Sequence, residues 1–167
     1  MKKIGKIALI VLAIIGGLFI LIMLIPTNDD TEIKNSPVKE ESVVETQPVE
    51  TQTMSKEEFA NMIEQLLAKT YGENNYYTKW NNNTYIINVW VEGLAKEAVY
   101  AKRGDEELLN SWTELVDATC YMSTTTKETA LTNGLNIDVK VNVLNDTNLN
   151  KVLITVLNDE VLYDVVN

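Results

Sequence analysis

Ile7 to Ile25 reads IALIVLAIIGGLFILIMLI, 19 consecutive residues without a polar side chain, and Pro26 ends the run. A helix rising 1.5 Å per residue covers roughly 28 Å over that length, about the hydrocarbon thickness of a bilayer. A cleaved signal peptide calls for a shorter apolar stretch, of roughly 7–15 residues, and a small-x-small cleavage site. Here PTNDD follows, with no Ala, Gly or Ser, and no Cys that would take a lipid. The run therefore predicts an uncleaved transmembrane anchor over residues 7–25, with the lipid bilayer as its partner. Gly16-Gly17 is a tolerated small pair rather than a demonstrated packing point between anchors. Lys2, Lys3 and Lys6 precede the span, whereas Asp29, Asp30 and Glu32 are the first charges after it. By the positive-inside rule residues 1–6 are a basic cytoplasmic N-terminus, and the rest of this single-pass chain lies outside the cell membrane.

Residues 26–53 predict a disordered acidic linker. Thr27 to Thr53 holds seven acids against two lysines, no aromatic residue and no sustained period. Such a stretch buries too little apolar surface to offset its ordering entropy, and like-charge repulsion extends it. Pro26, Pro37 and Pro48 all fall at or within it, and the VVETQPVETQ repetition is too short for a repeat architecture.

Residues 54–167 are free of proline and carry all three Trp, all seven Tyr and Cys120. That length suits one extracytoplasmic domain. Ser55 and Glu58 have capping-box spacing, so a helix starts there. Phe59, Met62, Ile63, Leu66 and Leu67 give it one apolar face, and Gly72 is placed for a left-handed C-terminal residue. Tyr76–Trp80 and Thr84–Val91 predict a hairpin around Asn81-Asn82-Asn83, with Tyr85, Ile87, Val89 and Val91 on one face and Ile86, Asn88 and Trp90 on the other. Leu94–Lys102 predicts a short helix. Asp105 caps a long one, which continues past its Thr-rich stretch to the Asn133-Gly134 stop only if packing overrides propensity. Ile137–Val143 alternates as a strand with one wet face. Asn145–Asn148 then turns into a strand at Val152–Leu157, and Asn158-Asp159 into a last one at Val161–Val166. These last two are apolar on both faces, which predicts central or doubly covered positions. The order α-β-β-α-α-β-β-β, with short connections, predicts an α+β fold: a two-layer domain of helices packed on an antiparallel sheet.

Composition then removes chemistry. There is no His and a single Cys, so there is no Cys/His zinc set, no Ser-His-Asp or Cys-His pair and no intrachain disulfide. A formal charge of −10 disfavours nucleic acid as a partner. Paired carboxylates are the catalytic apparatus that remains: Glu114 with Asp117, three apart on the long helix, and Asp159, Glu160 and Asp164 around the last turn. Acid–base work on a glycosidic bond also needs a cleft and one raised pKa, and in an acidic chain such pairs are usually solvated. No catalytic residue is assigned. Asn145-Asp146-Thr147-Asn148 is oxygen-rich, like Ca²⁺ ligand material, but lacks the twelve-residue spacing and reads as a β-turn; no metal or cofactor is assigned. Cys120 has no cationic neighbour in sequence and reads as a small, partly buried helix residue. Tyr76, Tyr77, Trp80, Tyr85 and Trp90 form a dense aromatic set. Such side chains pair contact area with a polar handle, suited to sugar or protein recognition as well as to core packing.

The N-terminal anchor, the acidic stalk and a small α+β domain ending in VNVLND and then VLITVLNDEVLYDVV resemble the uncharacterised N-terminally membrane-anchored small proteins of Gram-positive bacteria and their prophages. Thirteen Lys to one Arg, in an Asn-rich chain, also suits an A/T-rich bacterial genome. The resemblance implies a bacterial cell-surface protein, and no catalytic motif travels with it. The expected function is a non-enzymatic binding module for a protein or a cell-wall glycan, with Tyr76, Tyr77, Trp80, Tyr85 and Trp90 as its binding face. The alternatives are a wall hydrolase working through Glu114 and Asp117, or a structural subunit of a membrane assembly. Protease added to intact protoplasts is expected to remove the C-terminal domain. Full protection of that domain would reverse the orientation.

Overall fold

The computed structural model describes residues 53–167, so the anchor and almost all of the linker lie outside the described residues. Among the described residues no helix is long and apolar enough to cross a membrane. The domain is α+β, with three helices on one five-stranded mixed sheet. The elements are α1 (Lys56–Tyr71), β1 (Tyr76–Asn81), β2 (Thr84–Val89), α2 (Leu94–Lys102), α3 (Glu106–Thr132), β3 (Asp138–Asn145), β4 (Asn148–Leu157) and β5 (Glu160–Asp164). Strands lie in sequence order, β1-β2-β3-β4-β5.

Three strand pairs are antiparallel, but β2 and β3 run parallel, in register from Thr84 opposite Asp138 to Val89 opposite Val143. This corrects the expected all-antiparallel sheet. Parallel neighbours need a long crossover, and α2 and α3 together supply it. β5 differs from expectation too. It is an edge strand, with Val161, Leu162 and Tyr163 at 42–49% exposure, because its apolar residues straddle a β-bulge opposite Thr155 and Val156. Val165 and Val166 leave the strand and pack against the core instead.

Each helix is made by the local chemistry its sequence carries. At α1 both halves of the capping box form: Ser55 Oγ accepts from the Glu58 N–H, and Glu58 accepts from the Ser55 N–H at 2.8 Å. The Ser55 N–H, and then the Ser55 hydroxyl, both donating to the Glu58 carboxylate, hold it below its usual pKa range. Gly72 ends the helix at φ 85°, ψ 153°, a conformation close to glycine-only and not the expected left-handed one. Within α3 the buried threonine hydroxyls are satisfied by carbonyls one turn earlier: Thr119 by Leu115, Thr126 by Met122 and Thr129 by Thr125, at 2.7–2.8 Å. Ser123 Oγ reaches across instead, donating to the Val139 carbonyl of β3 at 2.9 Å. Packing has overridden propensity, and the helix runs 27 residues to Thr132.

The core fills the space between all three helices and one face of the sheet. Phe59, Ile63, Leu67, Leu94, Ala98, Trp112, Leu115 and Met122 meet Tyr85, Ile87, Val89, Val139, Val141, Val143, Ile154 and Val156. Two carboxylates tie loops to helices. The Trp112 indole N–H donates to Asp164 at 2.8 Å, joining α3 to the end of β5. Asp146, in the β3–β4 turn, accepts from the backbone N–H of Gly93 (2.7 Å) and Ala95 (2.9 Å). α2 begins at Gly93, whose missing side chain leaves the helix without a local cap, so Asp146 caps it from 51–53 residues away. Asp146→Ala is expected to destabilise the protein by about 1–3 kcal/mol, since two helix-end donors lose a charged acceptor. Urea unfolding of the variant checks this, and an unchanged midpoint would refute the capping role.

Candidate functional site

Strand alternation divides the sequence-selected aromatic set between two surfaces. Tyr85 points into the core at 0% exposure, edge-on to Phe59 (ring centroids 5.5 Å apart) and 4.8 Å from Trp80, its directly opposite cross-strand partner. Trp80 is half-buried on the same side, with Lys56 Nζ 4.8 Å above its ring. Tyr76 also faces the helices, packed against the core near Glu64 and Glu73. Partial desolvation, followed by those two carboxylates, raises its phenol pKa. Tyr77 and Trp90 belong to the other face. Their rings are 6.2 Å apart at 53°, Tyr77 being 43% exposed and Trp90 partly buried.

That other face has no helix on it among the described residues: every helical core residue gathers with Tyr85, Ile87, Val139, Val141, Ile154 and Val156 on the opposite side. One row crosses all five strands of the helix-free face, namely Tyr77, Asn88, Asn142, Thr155 and Tyr163. Its three central members form a buried ladder: Asn142 Nδ2 donates to Asn88 Oδ1 and Thr155 Oγ1 donates to Asn142 Oδ1, both at 2.9 Å. Asn88 Nδ2 donates in turn to the Tyr77 carbonyl at 3.4 Å. The next row holds Lys79, Ile86, Lys140, Leu157 and Glu160. At the β4–β5 edge, Asn145, Lys151, Val152, Leu153, Tyr163 and Val165 line a hollow of about 520 Å³ that borders the core through Leu153 and Val165. Alternation anticipated the Ile86, Asn88 and Trp90 face of β2. The ladder was hidden, because it depends on which strands pair and in what register.

The remaining candidates are dispersed. Glu114 and Asp117 are exposed on α3, and Asp159 and Glu160 are exposed at the last turn. Asp164 is occupied as the acceptor for Trp112, the Val166 N–H and Asn167. In the β3–β4 turn, Asn145 Oδ1 accepts from the Thr147 N–H, the Thr147 hydroxyl and the Asn148 N–H, so the oxygen-rich segment is an Asx-type turn. Among the described residues no group of three or more Asp, Glu, Cys or His gathers in a geometry for a metal ion. Cys120 is half-buried in α3, and burial, then the charges of Asp117 and Asp159, push its thiol up, away from the reactive thiolate.

One buried group stands unsatisfied. The Tyr85 hydroxyl has no hydrogen-bond partner among the described residues. Thr78 lies nearby but donates to Glu64 at 2.5 Å. Burial pushes the Tyr85 phenol well above its ordinary range. Tyr85→Phe removes an orphaned polar atom and keeps the ring, so the variant is expected to match the parent or gain about 1 kcal/mol in denaturant unfolding. A loss of comparable size would mean that the hydroxyl has a partner.

No family model, no curated protein and no solved structure matches the chain, so the helix-free face is judged on its own geometry.

Proposed function

We propose that the chain is a non-enzymatic binding module, anchored by residues 7–25 in the cell membrane with its C-terminal domain outside, and that its recognition surface is the helix-free face of the sheet. The observation that carries this reading is the Tyr77–Trp90 pair at the end of that face, Tyr77 43% exposed and Trp90 partly buried, with their rings 6.2 Å apart. Amphipathic rings held by a rigid sheet lose little conformational entropy on contact, which is why they recur at recognition surfaces.

The direction of the chain supports the same assignment. The Met54 N–H donates to the Asn133 carbonyl at the end of α3, and the Asn83 carbonyl accepts from the Asp138 N–H, so the domain entrance, the β1–β2 turn and the start of β3 share one pole. Trp90 lies at the other pole, where its N–H donates to the Asn75 carbonyl. An anchored chain entering at Thr53 therefore holds the Trp90 end of the sheet away from its point of entry. The carboxylate-dependent hydrolase receives no comparable support, because Glu114 and Asp117 stand exposed on α3, away from the helix-free face.

Full-length protein in detergent micelles, carrying Trp90→Ala or Tyr77→Ala, is expected to keep its circular dichroism and lose partners captured from cross-linked cells. Trp80→Ala is unsuitable as a probe, since Trp80 packs on Phe59 and Tyr85. Undiminished capture by both variants would refute this face as the recognition surface.

A further inference from the structure

We propose that the hollow between α1 and β1 binds an alkylammonium cation, at a second site independent of the helix-free face. Asn61, Glu64, Gln65 and Ala68 stand at i, i+3, i+4 and i+7 on α1, a stripe beside the apolar one of Phe59, Ile63 and Leu67. With Glu73 and Tyr76 they line a hollow of about 440 Å³. Two carboxylates, two carboxamides and a phenol meet there, and no lysine or arginine lines it. On the strand side, Thr78 donates to Glu64 Oε1 at 2.5 Å and so fixes that carboxylate against β1. Neither Glu64 nor Glu73 forms an ion pair among the described residues, where the pair recorded is Lys127 with Asp138. The hollow therefore carries negative charge that the described domain does not neutralise.

The buried Tyr85 hydroxyl is the second, independent observation. Tyr85 is 0% exposed, and its hydroxyl has no hydrogen-bond partner among the described residues. Thr78 pairs with Ile87, two residues beyond Tyr85 on β2, so Tyr85 and Thr78 are diagonal neighbours on the helix side of the sheet, within reach of an aromatic side chain. The phenol accordingly ends beside Thr78, Glu64 and Tyr76, and the last two are walls of the hollow. An unspent polar atom of the core thus points at the inner wall of an anionic hollow.

The acceptors select the ligand. The volume is that of a small-molecule site, far above the roughly 30 Å³ of one water. Among the described residues no three Asp, Glu, Cys or His are arranged for a metal ion. A guanidinium pairs best with both oxygens of one carboxylate, but one oxygen of Glu64 is committed to Thr78. An ammonium is a compact charge with three rotatable donors, suited to acceptors on different elements. Glu64, Glu73 and the Tyr85 oxygen supply those acceptors, and Ala68 and the Tyr76 ring supply apolar surface for the alkyl stem. A free diamine and the lysine side chain of a partner protein present this same chemistry.

The test is isothermal titration calorimetry on full-length protein in detergent micelles. Cadaverine is the free-diamine probe, N-acetyl-lysine methylamide the side-chain probe and calcium chloride the metal probe. Binding of the amines is expected to weaken with added salt, and to lose about tenfold in affinity in Glu64→Gln/Glu73→Gln and about fivefold in Tyr85→Phe, each with parental circular dichroism. Glu114→Gln/Asp117→Asn removes as much charge from the exposed side of α3 and is expected to bind as the parent does. Binding of neither amine, parental affinity in Tyr85→Phe, or an equal loss in the α3 control would overturn the proposal. Calcium bound as tightly through the same two glutamates would overturn it as well. Support comes with a source attached: the lysine derivative binding as tightly as cadaverine identifies a partner's side chain, and cadaverine binding more tightly identifies a free diamine. Tyr77 and Trp90 take no part in these measurements, so the recognition face stands or falls separately.

Discussion

All three helices press on one side of a single sheet, and the rest of the structure follows from that one-sided burial. The α2–α3 crossover returns the chain parallel to β2, which places β3 between β2 and β4 and sets Val139, Val141 and Val143 beneath the helices. α3 is held there by apolar contact and by hydroxyls that satisfy themselves within the helix or, at Ser123, on β3. The consequence, among the described residues, is a second face on which no helix packs. That face holds the Asn88–Asn142–Thr155 ladder, in which each buried polar head finds a partner on the next strand. Such a ladder also opposes register slip, because a shift by one residue would bury three unpaired polar groups and expose the valines.

The acidic residues divide by what they touch. Asp146 and Asp164 are spent on structure, one capping α2 across the fold and the other receiving the Trp112 indole. Charged acceptors for buried or helix-end donors are stronger than neutral ones, and both sit where a strand end must be fastened to a helix. Glu114, Asp117, Asp159 and Glu160 remain exposed. Carboxylates in water keep the domain soluble and repel other polyanions, but they lack the desolvation that turns a carboxyl into a general acid. The same sorting makes the helix-free face distinctive, since its lysines have no carboxylate partner within the described domain.

Local chemistry was legible in the sequence, and pairing was not. The Ser55–Glu58 capping box, the Asp105 cap, the α1 stripe and the two faces of β2 were each readable from a handful of neighbouring residues. The long helix was readable only as a conflict between Thr propensity and the Asn133-Gly134 stop; what decided it, Ser123 bonded to Val139 beneath a common core, is a contact between elements. The parallel β2–β3 pair was missed for the same reason, as alternation shows which face a strand buries and is silent on its neighbour. Reading Tyr76, Tyr77, Trp80, Tyr85 and Trp90 as one face set aside the strand period: cross-strand pairing sends Trp80 and Tyr85 together into the core and leaves Tyr77 and Trp90 on the far side. Asp146 as a remote cap carried no sequence signal at all beyond the glycine that leaves α2 uncapped.

That division of aromatics links stability to function. Tyr85 and Trp80 close the core against Phe59, so their positions answer to packing density, and Tyr85 accepts an unsatisfied hydroxyl as the cost of filling that space. Tyr77 and Trp90 pair with one another and stand outside the core cluster. The ladder beside them supplies the rigidity that a recognition surface needs, because buried, mutually bonded amides fix the spacing of the side chains that stand over them. A sheet with helices on both faces would be more stable and would have no such surface. Satisfying the polar groups of that face internally is what lets the described domain hold Tyr77 and Trp90 beside it at fixed separation.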